Sequence, residues 1–224
     1  MEGKTHSAPS EAVESRVDNR RTGSADAILD AAESLFGRHG TEGVSLRQIA
    51  VAAGSANHSA VQYYFSSKEG LMRGIFERRL KSLERARTRL LDQATERGEE
   101  GDLRVLLTAL LRPIAEERDS EGRCSFAAFL LGMRLFADIK VWSRYSEGAT
   151  VTRKINDLMN ARLEALALAD PHTRIHCAVV VFLVAVIDWD RGITGGEDRS
   201  SSARDRYLER VLDFAASGLQ STIA

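Results

Sequence analysis

Helical periodicity runs through most of this sequence and constrains the fold more than any other feature. Ile28, Ala31, Ala32, Leu35 and Phe36 recur at i, i+3, i+4, i+7 and i+8, which puts them on one face of an α-helix. The same spacing returns at Leu46, Ile49, Ala50 and Ala53, then in residues 103–118, 123–142 and 150–168. It closes the chain at Tyr207, Leu208, Val211, Leu212, Ala215 and Leu219. No stretch alternates convincingly with period two, so no strand is expected. Only 3 of 224 residues are proline, which suits long helices. The expected class is all-α. The apolar run 175–187 would suit a buried strand on propensity alone, but its length and the Asp170-Pro171 start favour a helix.

Local signals divide the chain. Residues 1–22 lack apolar periodicity and read as a disordered tail. Ser24 is the expected N-cap of the first helix and Gly40 its stop. Ser45-Leu46-Arg47-Gln48 fits a capping box, in which the serine hydroxyl bonds the third amide and the glutamine reaches back. A second box at Ser66-Ser67-Lys68-Glu69 opens a longer helix to about Arg97. Gly98-Glu99-Glu100-Gly101 breaks it, and Pro113 predicts a kink or break in the next helix. Residues 192–203 read as a mobile loop. The expected organisation is a tail over 1–22, a small domain over 23–73 and a larger helical domain over 74–224.

Charge and motifs narrow the function. There are 31 Lys and Arg against 32 Asp and Glu, so no polybasic partner can be read from composition. The apolar run 175–187 contains His176, stops at Asp188, and falls short of the roughly 20 residues that span a bilayer. No apolar leader core is evident, so a cytoplasmic protein without a membrane partner is expected. Cys124 and Cys177 lack CxxC spacing and suggest neither a disulfide framework nor zinc. His172 and His176 share a helix face, but no third ligand is evident, so surface or core packing is favoured over a metal pair. Asp188 and Asp190 read as a helix end. No GxSxG, P-loop or GxGxxG is present. An enzyme reading therefore has no motif behind it, and no cofactor, metal or catalytic residue is expected.

Residues 24–71 carry the informative pattern: three helices, the second and third short, joined by a turn containing Ala53-Gly54. That is a helix-turn-helix layout, in which one helix positions and the next enters the major groove. The sequence reads ILDAAESLFGRHGTEG over 28–43, then VSLRQIAVAAG and SAVQYYFSSKEGLM. Over about residues 24–75 it resembles the tetracycline-repressor-type (TetR) family of bacterial transcriptional regulators. The stretch 54–61 is one residue longer than the family's commonest turn, which leaves two registers open for the base-reading positions.

The resemblance implies a DNA-binding role for particular residues. Arg47 falls where a side chain reaches a groove edge or phosphate, and an Arg fork bonds guanine O6 and N7 together. Asn57, His58, Ser59 and Ala60 begin the recognition helix. Gln62 and Tyr64 fall at backbone-contacting positions, with Tyr63 assigned to the core. Lys68 opens the fourth helix, where its ammonium and the helix N-terminus both favour phosphate. Ile28, Leu35, Phe36, Val44, Leu46, Ile49, Val61, Phe65 and Leu71 are core positions.

The resemblance also implies a homodimer, a double-stranded operator, and a small-molecule effector held in the C-terminal helices. Phe126, Phe129, Met133 and Trp142 are the candidate effector contacts, although plain core packing is the default for such a stretch. Residues 171–188 and 204–220 are the expected dimer surface. The small domain nets −1 over 23–73, against +5 over 68–91, so it lacks the usual basic footprint of a DNA binder. A helical ligand-binding protein or interaction module without DNA binding is the alternative.

Overall fold

The computed structural model describes residues 11–55, 59–136, 148–194 and 198–221. All regular elements among them are helices. They are α1 (Glu11–His39), α2 (Leu46–Ala52), α3 (Ser59–Phe65), α4 (Lys68–Glu96) and α5 (Leu103–Glu116). They continue as α6 (Ser125–Phe136), α7 (Thr150–Ala165), α8 (Pro171–Asp190) and α9 (Ser201–Gln220).

The helix ends show which local signals govern. Ser45 caps α2 as the capping box requires: Gln48 N donates to its Oγ at 3.2 Å, and Ser45 N donates to Gln48 Oε1 at 2.8 Å. At α4 the cap moves by one residue. Ser67, not Ser66, accepts from an amide, that of Gly70, at 3.1 Å, while Ser66 takes a left-handed φ of 60° to make the turn. Gly70 is needed here, because a Cβ at that position would lie 1.9 Å from the Phe65 carbonyl oxygen. Asp102 caps α5 through the Arg104 and Val105 amides.

The structure bears on three expectations. α1 begins at Glu11, so the chain does not enter it at Ser24 and part of the expected tail is helical. Pro113 sits inside α5, which ends three residues later at Glu116. Proline denies the ladder one donor, yet the helix carries through it for nearly another turn, so Pro113 does not break α5. Asp170 precedes Pro171 at the N1 position as expected, but has φ 53° and no side-chain cap bond.

α1, α2, α3 and α4 pack together as a small head, with Ile28, Phe36, Val44, Ile49, Val61 and Leu71 buried at its centre. Leu35, Leu46 and Phe65 are partly buried against the same core. α1 also packs along α6, so the head and the larger helical body share one continuous apolar core. Gly37 permits this approach: a Cβ there would stand 2.9 Å from Ala128 Cβ. In the body, α4 and α7 flank α5, while α8 packs on α6 and α9. The whole of α8, at 20 residues, is long and apolar enough to cross a membrane, although the apolar run 175–187 alone is not. Here Ile175, Val179, Phe182, Leu183 and Val186 are buried within the fold.

Candidate nucleic-acid interface and ligand cavity

α2 and α3 are joined through a left-handed glycine. Gly54 has φ 67°, its amide donates to the Val51 carbonyl at 3.0 Å, and Ser55 N donates to Ala50 O at 3.0 Å. These bonds close the end of α2. They leave α3 with a seven-residue surface helix anchored by Val61, which is 1% exposed.

That anchor decides which tyrosine faces out. Residues three and four positions beyond Val61 share its face, so Tyr64 and Phe65 turn inward and pack on the core. Ser59, Gln62 and Tyr63 take the opposite face and are exposed, Tyr63 to 72%. The expectation that Tyr63 is core is thus corrected. The periodicity anchored at Val61 carried the signal. The two rings meet edge to face with centroids 5.2 Å apart, so the half-buried ring props the exposed one. Arg47 is exposed on α2. Asn57 and His58, and the side chain of Ala60, lie outside the described residues.

Lys68 is half-buried, and its Nζ donates to the Thr41 carbonyl at 2.9 Å and the Glu42 carbonyl at 3.5 Å. It therefore ties the start of α4 to the turn between α1 and α2. An ammonium has three donors, and these two bonds leave one over.

One of the head's carboxylates is internal, while Asp26, Asp30, Glu42 and Glu69 are exposed. Glu33 of α1 is fully buried and carries two arginines of α4. Arg79 grips it in a fork, Nε to Oε2 at 2.9 Å and Nη2 to Oε1 at 2.8 Å. Arg78 adds Nη2 at 3.3 Å and pairs with Asp30 at 2.8 Å. The Ser125 hydroxyl donates to Glu33 Oε1 at 2.5 Å. Arg79 also binds Glu117 at 2.8 Å, and Ser82 donates to the same carboxylate. Burial works against the Arg79 charge, but Glu33 and Glu117 outweigh it and hold the guanidinium above the usual arginine pKa. The net charge of −1 over 23–73 thus overstates the negative charge the head presents, and part of the +5 in 68–91 is spent inside.

Arg79 also lies 6.0 Å above the ring of Phe126, which is a wall of a cavity of about 590 Å³ in the body. Phe76 and Leu83 of α4, Leu110 and Ile114 of α5, and Leu183 of α8 supply further apolar walls. The polar lining is Arg87, Arg134, Thr152, Asn156 and His172. Among the predicted effector contacts, Phe126 lines this cavity. Phe129 and Met133 are buried but do not line it. Phe129 packs between Phe36 and Phe76, with centroids at 6.3 and 5.4 Å, because α6 presents Phe126, Leu130 and Arg134 on one stripe and Phe129 on the next. Trp142 lies outside the described residues. Among the described residues no three His, Cys, Asp or Glu side chains are placed to hold a metal, so the pair His172 and His176 has no third ligand there.

A short, surface-mounted α3 on a glycine turn, held by a three-helix scaffold, defines a helix-turn-helix head on an all-helical body. Residues 28–75 match the model of the bacterial regulatory proteins of the tetR family. The solved structures agree in fold. A mutant of HlyIIR with residues 170–185 substituted by alanine matches with TM-score 0.59 and 17% identity, over 97% of this chain and 100% of that one. PfmR from Thermus thermophilus, a TetR family transcriptional regulator, matches with TM-score 0.52 and 20% identity, over 88% and 99%. AibR in complex with isovaleryl coenzyme A and operator DNA matches with TM-score 0.54 and 16% identity, over 87% and 96%. No curated protein matches the chain. The family match over residues 28–75 and the shared fold support a role in transcriptional regulation.

Proposed function

We propose that the protein is a homodimeric repressor that binds a palindromic operator and is released by a small molecule held in the body cavity. The observation that carries this reading is the placement of α1. It scaffolds α3 on one side and, through Glu33 and Arg79, reaches the Phe126 wall of the cavity on the other. One helix thereby belongs to the DNA-reading head and is linked, through Arg79, to a wall of the cavity. AibR, of the same fold, holds an acyl-coenzyme A and operator DNA in one complex, which supports two such sites in one chain.

In this reading Arg47 reaches a base edge or phosphate, Ser59 and Gln62 face the groove, and Tyr63 takes the backbone contact that the sequence resemblance gives to Tyr64. Asn57, His58 and Ala60 begin the reading face. Lys68 holds the turn and offers its remaining donor to phosphate. A single head buries too little DNA for specific affinity, so two are required. The dimer surface is the face of α8 and α9 where Val181, Val184 and Phe214 are exposed, Phe214 to 70%. The dimer works on DNA in the cytoplasm.

Gel shift and footprinting against the DNA upstream of the protein's own gene test the proposal. Specific, salt-sensitive protection of two half-sites about one or two helical turns apart is expected. The net charge of −1 over 23–73 favours one rival, a helical ligand-binding protein without DNA binding. Ligand binding with no specific protection on any upstream fragment would establish that rival.

A further inference from the structure

Among the described residues, the charged side chains that line the cavity are basic. Its walls are apolar along α4, α5 and α8, yet two arginines line it, and no carboxylate does among the described residues. Arg87 is 5% exposed and committed to the fold: Nε and Nη2 donate to the Leu110 carbonyl at 3.1 and 2.9 Å, and Nη1 to Thr152 Oγ1 at 2.8 Å. Glu84 stands 3.7 Å from it as counter-charge, and itself accepts from the Val151 and Thr152 amides at the start of α7. Arg87 is thus a neutralised pillar of the wall.

Arg134 comes from the third turn of α6, on the stripe of Phe126 and Leu130. Its Nη1 lies 3.0 Å from His176 Nδ1, and His172, one turn earlier on α8, lines the cavity beside it. His176 is exposed and His172 stands at the solvent-facing start of α8, which places this end of the cavity at its mouth. Burial holds the Arg134 guanidinium below the usual arginine pKa. A basic group and two imidazoles at the mouth, with an apolar chamber behind them, complement a molecule with a single anionic head and a hydrocarbon body.

We infer that the effector is an amphipathic organic anion, its acid head at Arg134 and His172 and its apolar body between Phe76, Phe126 and Leu183. This rests on the cavity being the effector site. A ten-carbon series with one chain and three heads separates the possibilities: decanoate, decanol and decylamine, each titrated calorimetrically below its micelle concentration against the full chain. Decanoate is expected to bind roughly 10- to 100-fold tighter than decanol, the gain of a charge-assisted head contact, and decylamine more weakly than either. Arg134→Gln should erase the preference for decanoate over decanol while leaving decanol binding in place. Phe126→Trp, which fills the chamber without touching the head site, should weaken both.

Decanol or decylamine binding as tightly as decanoate would overturn the anionic head. Binding unaltered by Arg134→Gln would overturn its position, and failure of all three probes to bind would overturn the class. A gel shift on the same preparation keeps the regulator reading separate. Specific operator binding that decanoate does not release leaves a DNA-binding protein whose effector is of another class, whereas absent operator binding defeats the regulator itself.

Discussion

Tyr63 and Tyr64 stand one position apart, and the roughly 100° of rotation between them sends one ring to solvent and the other to the core. Their truncations should therefore separate affinity from stability. Tyr63→Ala is expected to weaken operator binding by about tenfold, the loss of one hydrogen bond to a charged phosphate, with an unchanged melting curve. Tyr64→Ala should cost about 1–3 kcal/mol of stability, seen as a lower denaturation midpoint, because it empties part of the packing under α3. A second residue-scale expectation concerns Cys124. Burial first, and the Asp190 carboxylate next, push its thiol up to about 12, against a slight pull from Arg204. Because the folded pKa is raised, the native state holds the proton longer. Its contribution to stability is complete below the ordinary thiol value of 9.0 and is lost as pH climbs toward 12. Alkylation mapped by mass spectrometry at pH 8 should modify Cys124 only after denaturation. Rapid native modification would contradict this burial.

At the scale of elements, what the sequence disclosed depended on how far each interaction reaches. The capping box of α2 spans three residues, so Ser45 and Gln48 were legible in the sequence. The box at Ser66-Ser67-Lys68-Glu69 put the cap of α4 at Ser66, but Ser66 is taken up in the left-handed turn and the cap falls to Ser67. Lys68 reaches back 27 positions to Thr41, and Glu33 reaches forward 46 to Arg79. No periodicity encodes such partners, so Lys68 was legible as a cation near the head but not as the tie that holds its turn. The cavity shows the same limit: Phe126 and Phe129 look alike in sequence, and only the packing of α6 on α1 assigns one to the wall and the other to the core. The face of α8 and α9 yields the prediction at this scale. Val181, Ala185, Tyr207, Val211 and Phe214 line one groove, and an apolar ring as exposed as Phe214 is costly to leave in water. If the proposed dimer uses this face, Phe214→Glu should give a folded monomer by sedimentation velocity, with helical circular dichroism retained. Its operator affinity should fall toward the non-specific level, roughly 10³-fold or more. A variant that stays dimeric would move the seam elsewhere.

For the molecule as a whole, the question is how an occupied cavity alters the pose of α3. The chain of contacts is short: Phe126 in the wall, the Arg79 guanidinium above its ring, Glu33 in the fork of Arg79, and α1 carrying the head. In the proposed mechanism, a ligand that displaces Phe126 would disturb the arginine that fixes α1 to α4, and both heads of the proposed dimer would then shift against the operator spacing. Allosteric coupling must be reciprocal, so ligand should weaken DNA binding and DNA should weaken ligand binding by one shared factor, typically about 5- to 150-fold. Arg79→Met alone leaves Glu33 buried with a diminished set of cations and should cost about 3–5 kcal/mol in a urea melt. The double variant Glu33→Gln with Arg79→Met removes both charges and should recover much of that loss, since a buried pair can be replaced at small net cost. In the double variant, operator and ligand should each still bind while the shared factor falls toward one, as measured by titrating DNA with and without saturating ligand. A double variant that folds, binds both and keeps the full factor would show that the signal passes from cavity to head by another route.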